Sequence, residues 1–301
     1  MRALRYHGPG DLRVEHDIAE PECLPHQVKV RPAWCGICGS DLHAYLSDKV
    51  IPLRDVPHPL TGETWPIVFG HEFSGDIVAV GSDVAKDPEG PKVGDRLPDS
   101  ISYEIGAWHA VEIAAIKPGD DVLVMGAGPI GLAVIQCLKA QNLGGQIIVV
   151  ELSGKRKEFA RQCGATTVLD PQEEDVVAKC RSLTGGQGPA VALECAGVAA
   201  SMNAACRAVR TKGLIVNVAL WEEPVPIDMM ALLFGEKRLA TAISLTASDF
   251  KAVIDALESG RLQVEGMITH RIKMDEVVHK GFEALMTQKD TTIKVLVDCR
   301  I

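Results

Sequence analysis

The sequence predicts an α/β protein in which a parallel sheet wound with helices is joined to a mostly-β unit. Three observations predict this. Between residues 119 and 258, short apolar runs alternate with helical stretches, the rhythm of buried parallel strands and their crossover helices. Residues 1–97 instead carry short strand-like segments punctuated by Gly and Pro, the pattern of an all-β unit. After residue 267 a mixed β/α/β pattern resumes, so the C-terminal stretch is expected to return to the first unit. The expected divisions are 1–112, 113–266 and 267–301.

In the first stretch, residues 28–32 alternate and end at Pro32, residues 73–81 are strand-like and close on Gly81, and residues 93–96 form a turn into another strand. Residues 48–65 hold three prolines and read as a surface loop. Strands of the parallel sheet are expected at 122–125, 147–150, 167–169, 190–193 and 214–218. Helices are expected at 129–139, 155–163, 173–183, 199–209 and 250–258. Pro129 suits a first helical turn, where its missing N–H costs nothing. Beyond these, 268–272 and 293–297 read as strands and 275–286 as a helix.

Composition narrows the function classes. The chain has 301 residues, 47% hydrophobic and 24% charged, with a formal net charge of -9. An acidic balance argues against a nucleic-acid backbone as partner, because phosphate binding favours a basic surface. No apolar run is long enough to span a bilayer, and the first residues lack the apolar centre of a secretory signal. Nine scattered cysteines fit a reducing compartment, so a cytoplasmic location is expected.

Two stretches carry chemistry. The first is Gly126-Ala127-Gly128-Pro129-Ile130-Gly131, which follows a predicted strand and opens a predicted helix, the context that a dinucleotide-binding G-x-G-x-x-G requires. Gly126 permits the tight turn, Gly128 lets backbone approach a pyrophosphate, and Gly131 lets helix and strand pack closely. The helix N-terminus offers amide donors to the phosphates. Glu151 ends the next strand, twenty residues past Gly131; a carboxylate there accepts ribose hydroxyls and repels a 2′-phosphate, which favours NAD over NADP. The alternative is an ordinary tight strand–helix turn.

The second is Cys35-Gly36-Ile37-Cys38-Gly39-Ser40-Asp41-Leu42-His43, followed later by Gly70-His71-Glu72. No cysteine occurs between Cys38 and Cys137, so a local four-cysteine zinc site is excluded. A mixed site of one cysteine with His71 and Glu72 leaves a fourth position for water or substrate, the open coordination of catalytic zinc. Glu72 reads equally well as half of a buried ion pair; a lone His71 would read as a core histidine, but its neighbours Gly70 and Glu72 count against that. Ser40 beside a metal could take a proton from a bound alcohol, and His43 could carry it to solvent; the alternative is a Ser/Asp turn with a surface histidine.

Together these motifs resemble the zinc-dependent medium-chain dehydrogenases, and most closely their butanediol and sorbitol dehydrogenase branch. The likeness runs from end to end. Besides the stretches above it is carried by Pro57–Thr64, Val93–Arg96, Glu194–Gly197 and Trp221–Pro226, of which Pro57–Thr64 and Trp221–Pro226 point to the butanediol rather than the polyol type. The resemblance implies a GroES-like catalytic domain built from both termini and a Rossmann NAD-binding domain. It implies Cys38, not Cys35, as zinc ligand, with His71 and Glu72. It places Ser40 and His43 at the proton relay, and Glu151 and Arg156 at the adenosine ribose. The implied reaction is reversible hydride transfer between a secondary alcohol or vicinal diol and NAD, in a homo-oligomer.

One departure stands out. After Leu97 such proteins continue through a strand and a lobe with four zinc-binding cysteines, whereas this chain passes straight to Pro98-Asp99-Ser100-Ile101. It also has only Gly106-Ala107 where a Val-Glu-Pro stretch is expected before Trp108. Part of the barrel should therefore be missing, with strand edges left uncovered. Competing readings are a polyol dehydrogenase and a shortened NAD-binding relative without turnover. A zinc-free quinone-type reductase is a third, against which Cys38, His71 and Glu72 count.

Overall fold

In the computed structural model, residues 1–47, 56–59, 61–97, 102–221 and 223–300 are described. Half of the expected loop at 48–65, residues 48–55 and 60, lies outside them. The chain forms two units, Met1–Ile101 with Ile268–Ile301, and Ser102–Met267.

The first unit opens with strands β1 (Ala3–Gly8) and β2 (Asp11–Glu15), an antiparallel pair. They lead to the long β3 (Val28–Gly36), helix α1 (Gly39–Leu46), β4 (Ile67–Val68), β5 (Glu72–Val80) and β6 (Arg96–Leu97). Helix α1 was not expected, because Gly39, Ser40 and Asp41 are turn formers by composition. It forms because Asp41 turns back on the helix start: the Cys38 N–H donates to Asp41 Oδ2 at 2.9 Å. Tyr6 fastens α1 to β1, its hydroxyl donating to the Ala44 carbonyl at 2.7 Å. The same ring stacks on Phe69 at 4.9 Å and meets Trp65 edge-on at 5.0 Å.

The second unit begins with another unexpected helix, α2 (Ser102–Ala114). Then come β7 (Val122–Met125), α3 (Pro129–Ala140), β8 (Ile147–Val150), α4 (Gly154–Cys163), β9 (Thr167–Leu169), α5 (Val176–Leu183), β10 (Val191–Glu194) and α6 (Ala199–Ala208). It closes with β11 (Leu214–Asn217), α7 (Met229–Phe234), β12 (Arg238–Thr241) and α8 (Ala247–Glu258). Every residue of β7, β8 and β10 is buried, which is why they read as unbroken apolar runs. The six strands are parallel, in the order β12-β11-β10-β7-β8-β9. The chain steps from β7 to one side and then returns to the other. The reversal lies at the carboxyl end of β7, where open α/β sheets bind ligands and where Gly126–Gly131 begins.

Two helix starts differ from expectation because of their caps. Helix α5 begins at Val176 rather than 173, since Asp175 accepts the N–H groups of Val177 and Ala178. Helix α8 begins three residues early, since Thr246 and Asp249 cap each other.

The chain then re-enters the first unit with β13 (Ile268–Lys273), α9 (Glu283–Thr287) and β14 (Lys294–Asp298). The expected helix over 275–286 is broken into a 3₁₀ turn, a π-helical turn and then α9. Strand β14 pairs antiparallel with β3, giving a five-stranded sheet in the order β13-β14-β3-β5-β6. A three-stranded sheet, β2-β1-β4, accompanies it. Tyr6, Ile37, Phe69, Phe282 and Val295 form the centre of this unit's core. Among the described residues no helix is long and apolar enough to cross a membrane.

The missing barrel segment has a physical counterpart. Among the described residues, β6 pairs with β5 at two positions, Gly75 with Leu97 and Asp76 with Arg96. Val68 and Phe73 are left 49% and 41% exposed. A cavity of about 830 Å³ opens in this unit, walled by residues such as Leu4, Val68, Phe69, Phe73 and Val78.

Candidate metal centre and dinucleotide loop

The metal-capable residues meet because β3 and β5 are neighbours. Gly36, the last residue of β3, pairs with Glu72, the first of β5. Cys38 follows β3 by two residues and His71 immediately precedes β5, so a separation of 33 positions in sequence becomes contact in space. Cys38, His71 and Glu72 each offer one ligand atom, all within 4.8 Å of one another. The donor set fits Zn2+: thiolate, imidazole and carboxylate are its ordinary ligands, and tetrahedral donors at roughly 2.0–2.3 Å from the ion lie about 3.5 Å apart.

Asp41, which the sequence reading left without a role, is the residue that orients this group. It is 4% exposed. One carboxylate oxygen caps α1 and the other lies 3.2 Å from His71 Nδ1. A metal-binding histidine commonly gives its second ring N–H to such a carboxylate, which fixes the tautomer and turns the other nitrogen to the ion. His71 Nε2 is 3.3 Å from Ser40 Oγ. The Asp41 carboxylate first, then the Cys38 sulfur, push the His71 imidazole up to about 10, a measure of how strongly this corner favours positive charge. His43, half-buried, lies three residues after Ser40 in α1, so the two side chains are neighbours along the helix.

Cys35 stands apart from the group. Its sulfur packs 2.8 Å from where a Cβ on Gly70 would stand. Burial first, then Cys299 and Asp41, push its thiol up to about 12. Gly70 also has φ +109°, so it supplies both the turn into β5 and the space for Cys35.

Glu72 is fully buried and forms an ion pair with Lys294 of β14. The ion-pair reading of Glu72 is thus seen in the geometry, and the same carboxylate stays within reach of Cys38 and His71. Lys294 was missed, although a lysine within the otherwise apolar run Ile293-Lys294-Val295-Leu296-Val297 signals a buried charge that needs a partner.

In the second unit, Gly126 has φ +91°, and a Cβ there would meet Ala196 at 3.1 Å. A Cβ on Gly131 would stand 2.0 Å from the Gly126 carbonyl oxygen. Gly128 caps α3, with Pro129 and Ile130 in its first turn. The space over Gly128 is open except for an Arg156 guanidinium nitrogen 3.9 Å from the Cβ position. This leaves open space at the start of α3 with a cation beside it, which suits a pyrophosphate. Glu151 Oε2 accepts the Ala127 N–H at 2.7 Å, and Oε1 accepts those of Leu152 and Ser153 at 2.8 and 2.9 Å. The carboxylate thus ties the end of β8 to the glycine loop.

Comparison with known proteins bears on both sites. Residues 24–102 match the alcohol dehydrogenase GroES-like domain, and residues 129–259 match the zinc-binding dehydrogenase domain. The (R,R)-butanediol dehydrogenase of Bacillus subtilis (strain 168) is 35% identical over 352 residues, covering 99% of each chain. The chain belongs to the zinc-binding dehydrogenases. A crystal structure of 2R,3R-butanediol dehydrogenase from Bacillus subtilis superposes with a TM-score of 0.90 at 32% identity, over 99% of each chain. The sorbitol dehydrogenase of Pongo abelii is 30% identical, over 99% of this chain and 95% of its own. The alignment with the Bacillus protein is longer than this 301-residue chain, so that relative carries internal residues that this zinc-binding dehydrogenase does not.

Proposed function

We propose that this alcohol dehydrogenase oxidises a vicinal diol of the (R,R)-butanediol type, using Zn2+ and NAD. The observation that carries the reading is the convergence of Cys38, His71 and Glu72 in a chain 35% identical, from end to end, to an (R,R)-butanediol dehydrogenase. Cys38, His71 and Glu72 would hold the ion. When bound, zinc supplies a charge that acidifies a coordinated hydroxyl, as it lowers water from 15.7 to about 7, and NAD supplies the hydride acceptor.

The chain's own residues do the rest. Ser40, beside His71, takes the proton of the substrate hydroxyl, and His43, one helical turn on, passes it to solvent. Gly126, Gly128 and Gly131 admit the pyrophosphate, with Pro129 and Ile130 opening the helix that faces it. Glu151 accepts the adenosine ribose hydroxyls, and Arg156 lies beside them. The protein acts as a homo-oligomer on a small-molecule substrate. A polyol substrate is the second reading, favoured by the sorbitol dehydrogenase relatives.

The test is NADH formation by the zinc-loaded protein with (R,R)-butanediol, its meso isomer and sorbitol. The expected outcome is a kcat/KM at least about tenfold higher for a butanediol isomer than for sorbitol. A preference for sorbitol would move the assignment to the polyol class.

A further inference from the structure

Glu72 and Lys294 lie on strands that do not touch. β5 and β14 flank β3 on opposite sides, and the two side chains join over Gly36. A Cβ on Gly36 would stand 2.5 Å from Glu72 Oε2 and 2.8 Å from Lys294 Cε and Nζ. The first glycine of the Cys35–His43 stretch is therefore the gap through which the ion pair closes. Both partners are buried, Glu72 at 0% and Lys294 at 5% exposure. Yet the same Glu72 carboxylate offers an oxygen within 4.8 Å of Cys38 and His71. One buried carboxylate thus faces an ammonium on one side and a cation-seeking group on the other.

We propose that Lys294 is a positioning residue that sets how tightly the Cys38, His71 and Glu72 group holds its metal. The inference rests on the zinc reading given above. A buried carboxylate without a counter-charge is costly. Lys294 supplies that charge before the metal arrives and so holds the Glu72 carboxylate in place. Once a divalent cation enters, Lys294 draws on the same carboxylate and repels the ion from one carboxylate away. By linkage, what Lys294 contributes to the metal-free form it subtracts from metal binding. Its removal should therefore weaken the metal-free protein and tighten the metal.

The experiment measures zinc affinity by chelator competition for the full chain and for Lys294→Met, with the thermal midpoint of each in metal-free and zinc-loaded form. Lys294→Met is expected to bind zinc at least about fivefold more tightly, with a lowered midpoint that zinc restores. In the double variant Glu72→Gln/Lys294→Met, affinity should fall below that of Lys294→Met, because the carboxylate charge is gone. The ligand-field spectrum of the Co2+-loaded protein should shift in Lys294→Met as the carboxylate turns fully to the metal. Lys294→Gln, which keeps a donor but no charge, carries the same expectation and serves where Lys294→Met does not fold. Unchanged or weaker zinc affinity in a folded Lys294 variant would overturn the proposal while leaving the zinc reading intact. Absence of zinc binding by the unaltered chain would overturn both.

Discussion

At the scale of single residues the chemistry turns on Asp41, which does two jobs with two oxygens. It caps α1, which carries Ser40 and His43, and it holds His71 by Nδ1. Asp41→Asn keeps the shape but removes the charge, and zinc affinity measured by chelator competition is expected to fall about 10–100-fold. An unchanged affinity would show that His71 orients itself. The sequence disclosed the ligand candidates because Cys38, Ser40 and His43 share one short segment and His71 and Glu72 another. It did not disclose Asp41 or Lys294 as partners. Asp41 looks like a turn residue, and its contact with His71 spans 30 positions. Lys294 meets Glu72 across 222 positions, a pairing that exists only once β14 has returned to β3.

At the scale of elements, caps decide where helices begin. Helix α8 starts at Ala247 because Thr246 and Asp249 satisfy each other's backbone N–H groups, and Asp249 also holds His109 of α2 at 2.9 Å. Burial raises the Asp249 carboxyl, but the Thr246 bonds and His109 outweigh it, so the net position is below the ordinary 3.8. A depressed carboxyl contributes stability that is present above 3.8 and is lost as pH falls through the lower folded value. Asp249→Asn is expected to cost about 1 kcal/mol at neutral pH. It should also lose less stability than the parent on acidification, as read by urea unfolding across that range. An equal acid loss in both proteins would remove Asp249 from the acid response. The parallel strands were legible because β7, β8 and β10 are buried on both faces and so are continuously apolar. Helices α1 and α2 were not, because one starts in turn formers and the other follows the shortened segment, where the expected pattern is interrupted.

At the scale of the whole molecule, the chain keeps its family's fold while lacking internal residues that its relatives carry. The superposition of 0.90 over 99% of the chain shows that the shortened chain keeps that fold. Its physical consequence is local to the first unit, where β6 is two residues long and apolar side chains such as Phe73 stay exposed. The candidate metal group lies at the start of β5, three residues before the Gly75–Leu97 pair, beside Gly36 and the return strand β14. The residues of the candidate centre thus come from β3, α1, β5 and β14, all of which are present.

The central claim is that Cys38, with His71 and Glu72, holds one zinc ion on which diol oxidation depends, and that Cys35 does not. The most direct measurement is metal content together with NAD-dependent diol turnover in the parent, Cys38→Ala and Cys35→Ala. The expected result is close to one zinc per chain with turnover in the parent, loss of both in Cys38→Ala, and retention of most zinc in Cys35→Ala. Equal loss in the two variants, or turnover that survives in Cys38→Ala, would contradict the account.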